Sequence, residues 1–325
     1  MSVEDTDFVE VMRDGVAYKA TYAQLQSALG YEVPYSAYFN GNASKAYLWK
    51  DTVNGNSKKL TISFWIKLES NPAHAEGYKP GIIQIGESLN HRKNPGYTSE
   101  VQIDMDDKMS VRMGPTTGVH DDYGYYAKAA SSKPVKNVWE HWCFTIDTAV
   151  GGNDMCKFYK NGTKQSLTGL RDIGINLDGS GGGQNHTGPT NLATAFNRAY
   201  SGTFSLKNLN KPAGPEDQQI KRGYRIGQYA YDNSMGASFF PISYIDYLKG
   251  YLAELHLVDG QALPPTEFGE IKDGWKAKVY EGSYGTNGFY LTFADSGNLG
   301  KDYSGRNNNF TKVGTISQST DTPTS

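Results

Sequence analysis

Apolar and polar residues alternate along most of this chain in short runs, each bounded by Gly, Asn, Asp or Pro. Period-two patterning puts successive side chains on opposite faces and predicts half-buried strands rather than helices. The strongest run is Leu60-Thr61-Ile62-Ser63-Phe64-Trp65-Ile66-Lys67, preceded by Tyr38-Phe39-Asn40-Gly41 and followed by Gly81 to Ile85. Next come Glu100 to Met105 and Lys108 to Met113, with Asp106-Asp107 near the turn between them. Val138 to Asp147 and Met155 to Asn161 form the clearest hairpin, and the pattern returns at Gly223 to Gly227 and from Gly250 onward. From Tyr251 to Phe310 the alternation continues, punctuated by turn residues. The chain thus reads as an all-β antiparallel sandwich. Its core is expected from Ile62, Phe64, Trp65, Ile83, Ile85, Val138, Trp142, Phe144, Ile146, Phe158, Leu252, Leu255 and Leu257. Central strands can be buried on both faces, so Phe64 and Trp65 need not share a layer.

Two regions depart from this pattern. Residues 1–34 read as an arm: a strand from Asp7 to Met12, a turn at Asp14-Gly15, and a return strand from Val16 to Ala20. Thr21 is then placed to cap a short helix through Tyr22, Leu25 and Leu29, ended by Gly30. A hairpin and one helix bury too little apolar surface to stand alone. Phe8, Val9, Val11, Tyr18, Tyr22 and Leu25 therefore need a surface to dock on. The second departure is the Gly-, Asn- and Pro-rich stretch at about 170–220, far longer than an ordinary sandwich loop. The expected organisation is an arm over 1–34 and a sandwich over 35–325 carrying that insertion.

The formal charge of −2 over 325 residues excludes the basic stripe that nucleic-acid binding requires. No stretch approaches the apolar length that spans a bilayer, and the acidic N-terminus lacks the apolar core of a secretory signal. Synthesis in a cytoplasm is expected, with exit, if any, by another route. The 23 tyrosines suit edges and sugar-facing surfaces, since each joins an apolar body to a polar tip. Cys143 and Cys156 lie in consecutive strands where a bridge is geometrically conceivable. A cytoplasmic origin favours free, buried thiols.

Three resemblances add to this reading. The order Phe-x-Gly, Thr-Ile-Ser-x-Trp, Trp-x-His and Tyr-x-Asn-Gly resembles the laminin-G and pentraxin superfamily, which implies a concanavalin A-like jelly roll. His141-Trp142-Cys143-Phe144-Thr145 fits the pentraxin His-x-Cys-x-Thr pattern, but Ile146 stands where that pattern has Trp, so calcium ligation is not carried over. The run from Tyr251 to Phe310 resembles a module at the C-terminal ends of bacteriophage virion proteins, particularly those of marine phages. Asp5, Asp7, Phe8, Val11, Arg13, Gly15, Tyr18, Lys19 and Thr21 resemble short N-terminal segments of phage fibre and spike proteins. Together these imply a virion structural protein of the tail-fibre, spike or head-decoration type. The arm would dock on other capsid or tail proteins, and the sandwich would be displayed for decoration or for adhesion to host glycan. Phage fibres and spikes are often trimers, so a homo-oligomer is implied, though no residue pattern here specifies one.

Candidate chemistry is sparse. Glu100, Gln102, Asp104 and Asp106 share one face if they form a strand. The strand resembles the Glu-x-Asp-x-x-Glu strand of concanavalin A-like glucanases, but Gln102 stands where the nucleophile belongs, and an amide cannot form a glycosyl-enzyme. The chain is read as non-enzymatic, with hydrolysis the lesser alternative. No cofactor is required. Calcium has potential oxygen ligands in Asp104, Asp106, Asp107 or the His120-Asp121-Asp122 loop, none in an ordered coordination pattern. Sugar binding needs aromatic faces beside Asn, Asp and backbone groups. Two segments, read as loops, offer them: Asp121, Asp122, Tyr123, Tyr125 and Tyr126, and Tyr229, Tyr231, Asp232 and Asn233. The same residues would serve a protein contact. His141 and His256 sit within strand patterns and read as structural.

Overall fold

The computed structural model describes residues 8–13, 16–21, 31–50, 59–69, 81–86, 98–105, 108–116, 124–129, 134–147, 150, 156–173, 223–231 and 244–324. Strands β1 (Phe8–Arg13) and β2 (Val16–Thr21) pair antiparallel as a separate ribbon, with Phe8 opposite Thr21 and Arg13 opposite Val16. This is the hairpin expected around Asp14-Gly15, and it carries Phe8, Val9, Val11 and Tyr18. Thr21 ends β2; the expected helix, with Tyr22 and Leu25, lies outside the described residues.

The sandwich opens with β3 (Ser36–Asn40), β4 (Tyr47–Lys50), β5 (Lys59–Leu68), β6 (Gly81–Gly86), β7 (Thr98–Met105) and β8 (Met109–Thr116). It continues through β9 (Gly124–Ala129), β10 (Trp139–Asp147), β11 (Cys156–Lys160), β12 (Thr163–Lys164) and β13 (Leu167–Ile173). Residues 174–222, which include most of the Gly-rich stretch, lie outside the description. Then follow β14 (Gly223–Ile226), β15 (Gln228–Tyr231), β16 (Tyr244–Tyr247), β17 (Lys249–Asp259), β18 (Gly269–Ile271), β19 (Trp275–Ala277), β20 (Phe289–Leu291), β21 (Thr311–Val313) and β22 (Ile316–Ser319). The first large sheet runs β12-β11-β10-β5-β17-β3-β22, with β20 also paired to β17, and the second runs β13-β9-β8-β7-β6-β14-β4-β21. Every strand pairing is antiparallel. Neighbours distant in sequence, such as β5 beside β17, are the crossovers that make a jelly-roll sandwich.

Alternation delivers Ile62, Phe64 and Ile66 of β5, Trp142, Phe144 and Ile146 of β10, and Leu255 and Leu257 of β17 to one face of the first sheet. They form one buried cluster with Ile83, Ile85, Ile103, Val111 and Tyr224 of the second sheet. Phe144 is its hub, with ring centroids 5.9 Å from Phe64, 6.1 Å from Trp142 and 4.8 Å from Phe158. The expected core residues are all buried except Val138, which is 47% exposed. Pairing with β5 begins only at Trp139, opposite Lys67, and Val138 belongs to the preceding turn, where its N–H reaches the Val135 carbonyl at 3.3 Å. Cys156 belongs to this core, whereas Cys143 lies on the opposite face of the sheet; both thiols are free and buried. Cys143 faces Tyr159 and Cys156 faces Ile146, so the register itself keeps the sulfurs apart.

The outer face of the first sheet is covered too, and here the Tyr251–Phe310 run departs from the expected succession of sandwich strands. Only β17 and β20 join the sheet. Phe268, Tyr280 and Tyr284 fold back over Cys143 and Val258, while Trp275 and Ala277 of the β18–β19 hairpin join Val33 over Trp65 and Ala253. Phe64 and Trp65 thus belong to different layers. Beneath this cover Ser63 Oγ lies 2.8 Å from His141 Nε2, and Tyr284 Oη lies 2.8 Å from His256 Nδ1. A bulge in β17, between Ala253 and His256, turns Glu254 into the same layer at φ +47°. A left-handed non-glycine conformation costs about 1 kcal/mol or more. Hydrogen bonds donated to Glu254 Oε2 by Tyr290 at 2.6 Å and Tyr31 at 3.0 Å offset it. Tyr31 and Val33 seat the end of the arm on its own sandwich, and the Val33 N–H donates to Thr324 Oγ1 at 3.0 Å. Among the described residues no helix is long and apolar enough to cross a membrane.

Two outcomes are expected. Phe144→Ala leaves a cavity between the sheets and costs about 3–5 kcal/mol in denaturant unfolding, and a loss well below that range would contradict its place at the hub. Burial, with the charge of nearby His256 acting in the same direction, lowers the His141 pKa to about 3. The unfolded imidazole titrates near about 6.5, so the unfolded chain binds the proton first and stability falls as pH drops from there toward 3. Urea unfolding of His141→Gln, compared at neutral and acid pH with the parent chain, should show a shallower acid loss. An unchanged slope contradicts the assignment.

Candidate functional site

Four of the sugar-binding candidates inferred from sequence lie among the described residues. Tyr125 and Tyr126 lie within β9 of the second large sheet, and Tyr229 and Tyr231 within β15, which pairs only with β16. The described parts of both segments are strands where loops were expected, in keeping with the β propensity of tyrosine. Asp121, Asp122, Tyr123, Asp232 and Asn233 lie outside the described residues, as do Asp106, Asp107 and His120. Glu100, Gln102 and Asp104 lie in β7 at positions paired with Gly114, Arg112 and Ser110 of β8. Among the described residues no three His, Cys, Asp or Glu side chains group as a metal site requires.

A different constellation emerges at the end of the first sheet, one row beyond the cover. Trp139 of β10 faces Lys67 of β5, Lys67 faces Tyr251 of β17, Tyr251 faces Tyr38 of β3, and Tyr38 faces Ser317 of β22. Each residue lies two positions along its strand from the covered outer row, as Lys67 does from Trp65, so the same alternation that buries Trp65 presents this row to solvent. Its side chains are half-buried and that of Ser317 is more open. Four strand steps make the row roughly 19 Å long. Gly250 sets up the approach of β17 to β5, because a Cβ there would lie 2.3 Å from the Lys67 carbonyl oxygen.

The rings adjoin, with centroids 4.7 Å apart for Tyr38 and Tyr251 and 6.1 Å apart for Trp139 and Tyr251, and Lys67 stands between the last two in the register. Two carboxylates edge the row. Glu69 accepts from Tyr38 Oη at 2.8 Å and from Tyr251 Oη at 3.4 Å. Asp321 accepts from Lys67 Nζ at 2.6 Å and from Trp139 Nε1 at 2.9 Å. Desolvation raises the Asp321 pKa, but these two hydrogen bonds and the lysine charge outweigh it and hold the carboxyl below its ordinary value. Desolvation, the Glu69 hydrogen bond and the Glu69 charge push Tyr38 up to about 12, so it is a neutral donor at physiological pH. Tyr251 is raised likewise, by desolvation and then by the charges of Glu69 and Asp321. Val135 and Val138 extend the apolar surface beside Trp139, at 50% and 47% exposure. Flat aromatic area beside fixed carboxylate acceptors is what the alternately apolar and hydroxylated surface of a sugar requires. Sequence alone gave each of these residues a strand position, but the register that lines them up joins segments far apart in the chain.

No curated protein sequence matches the chain significantly. Among solved structures, the native heptameric SAP-like pentraxin from Limulus polyphemus is similar at 14% identity, over 71% of this chain and 78% of that one, with a TM-score of 0.35. The enzymatically active domain of tailspike protein 2 from bacteriophage CBA120 is similar at 13% identity, over 67% of this chain but 24% of that one, with a TM-score of 0.32. Alginate lyase Aly36B is similar at 14% identity, over 77% of this chain and 98% of that one, with a TM-score of 0.24. Likenesses this distant leave site and activity to the residues themselves. A family model described as the Concanavalin A-like lectin/glucanases superfamily, of laminin-G type, matches residues 35–194. The antiparallel jelly roll described above is in keeping with that similarity.

Proposed function

We propose that this chain is a non-enzymatic adhesion module that binds glycan through the Trp139–Tyr251–Tyr38 row, displayed on a virus particle to which residues 1–34 attach it. The observation that carries the adhesive part is the half-buried aromatic strip with Glu69 and Asp321 at its edge, on a sheet whose neighbouring outer row is covered. The sequence resemblance of both the arm and the Tyr251–Phe310 run to phage virion proteins supports the particle. The isolated β1–β2 ribbon supports the arm's attachment role, because a two-stranded hairpin has little independent stability. The non-enzymatic reading is supported by the sequence, in which Gln102 stands where the resembling glucanase strand has its nucleophile.

Trp139→Ala and Tyr251→Ala should each weaken binding on a glycan array by roughly tenfold, about 1 kcal/mol or more per lost aromatic face, with cooperative unfolding retained. Retention of full affinity in both variants would remove the row from the site. A reducing-end assay on the glycans that bind should stay at background, and time-dependent release by the parent protein would overturn the non-enzymatic reading. Deleting residues 1–30 should leave a folded sandwich that no longer enters particles. Assembly of the truncated chain at normal copy number would contradict the attachment role.

A further inference from the structure

Ser319, the last residue of β22, stands opposite Ser36, the first of β3, and the chain that follows stays tied to the stretch leading into β3. Ser319 Oγ accepts from the Asp321 N–H at 3.0 Å, and Ser36 Oγ donates to the Asp321 carbonyl at 2.7 Å. Thr324 adds two more bonds: its Oγ1 accepts from the Val33 N–H at 3.0 Å and donates to the Val33 carbonyl at 3.2 Å. Val33, Ser36 and Thr322 are buried. Residues 319–324 are thus bonded to 33–36, the stretch through which the arm enters the sandwich.

The same segment reaches the aromatic row through one side chain. Asp321 Oδ1 accepts from Trp139 Nε1 at 2.9 Å and Oδ2 from Lys67 Nζ at 2.6 Å. The root of the arm therefore holds the Asp321 main chain, while the Asp321 carboxylate holds the row. A second, apolar path joins the same two places. Val33 is buried in one cluster with Trp65, Ala253 and Ala277, and Trp139 packs against that cluster. Two places linked both by hydrogen bonds and by packing are energetically coupled.

Resting on the adhesive reading above, we propose that residues 319–324 form a strap through which the root of the arm positions the aromatic row. Ser36 and Thr324 then act as positioning residues for glycan binding, although neither belongs to the row. Loss of either hydroxyl loosens the Asp321 main chain, and the carboxylate no longer fixes the Trp139 indole. The ring must then be ordered when a sugar binds, at a cost in affinity. The coupling is reciprocal: a ligand that holds Trp139 in place favours the bonded strap and the seating of Val33.

The test follows the Trp139 Nε1–H resonance and its exchange with solvent in the full chain, assigned by its loss in Trp139→Phe. Binding to an array of neutral, N-acetylated and acidic oligosaccharides is measured beside it. Thr324→Val keeps the volume of the side chain and removes both of its bonds to Val33. It and Ser36→Ala should each shift the indole resonance and hasten its exchange. Each should weaken array binding roughly three- to tenfold, the scale of one or two lost neutral hydrogen bonds. Thr324→Ser keeps the hydroxyl and should behave as the parent chain in both readouts. Phe158→Leu loosens the core between the sheets without touching the strap, and should leave the indole resonance and the binding unchanged. An unmoved resonance in Thr324→Val, or the same response in Thr324→Ser or Phe158→Leu, overturns the proposal. If the resonance responds while binding keeps its full strength, the positioning role fails and the adhesive reading stands. If the resonance responds and no glycan of the array binds the parent chain, the strap stands and the adhesive reading fails.

Discussion

From Thr61 to Ile66 every side chain of β5 is buried, and its neighbours β10 and β17 are closed on both faces over the same length. A strand with no solvent face requires a layer on either side and a partner for each polar group that alternation turns inward. The second large sheet supplies one layer, and the segment after β17 supplies the other. Thr61 is satisfied by the Gln261 carbonyl and the Leu263 N–H, each at 2.8 Å, so the segment that covers the strand also completes its hydrogen bonds. Ser63 takes His141 as partner, and the bulged Glu254 takes Tyr31 and Tyr290. The outer layer is therefore as much polar as apolar, and its geometry is correspondingly specific.

The candidate site follows from where that layer ends. Trp275 and Ala277 reach the row of Trp65 and Ala253 and stop there. One row further, alternation delivers Trp139, Lys67, Tyr251 and Tyr38 to the same face, where they are half-buried among the described residues and Trp139 still packs on the edge of the cover. Aromatic residues that would be core under the hairpin become a platform beyond it. The closing residues of the described chain contribute as well, since Asp321 fixes both Lys67 and the Trp139 indole, while Ser36 donates to the Asp321 carbonyl at 2.7 Å. The row is thus braced by hydrogen bonds at Glu69 and at Asp321, a preorganisation that limits the entropy lost on binding.

The relation of the arm to the sandwich is also physical. Tyr31 and Val33 are held by side-chain and backbone bonds to Glu254, Tyr290 and Thr324, which fixes the point from which the arm departs. The β1–β2 ribbon pairs only with itself in the sheet arrangement. An anchored root and an independently paired ribbon suit a segment whose apolar residues are completed by another surface.

The alternation of the chain was enough to determine the all-β class, the positions of β5, β6, β7, β8, β10, β11, β14 and β17, and nearly the whole of the central core. Those features depend on side-chain period and local turn residues, which are written in neighbouring positions. Structural histidines were legible for the same reason, whereas free cysteines were expected from a cytoplasmic origin and it is the register that keeps their sulfurs apart. Val138 was misread because the sequence does not show where pairing with β5 begins. The tyrosines of β9 and β15 were read as loops because nearby Gly and Asp residues imitate turn punctuation. The conversion of Tyr251–Phe310 from a series of strands into a cover, and the alignment of Trp139, Lys67, Tyr251 and Tyr38, depended on the crossovers of the jelly roll. Register between strands up to some two hundred residues apart is set by closure of the whole sandwich, so only the tertiary structure could decide which aromatic residues are core and which meet solvent together.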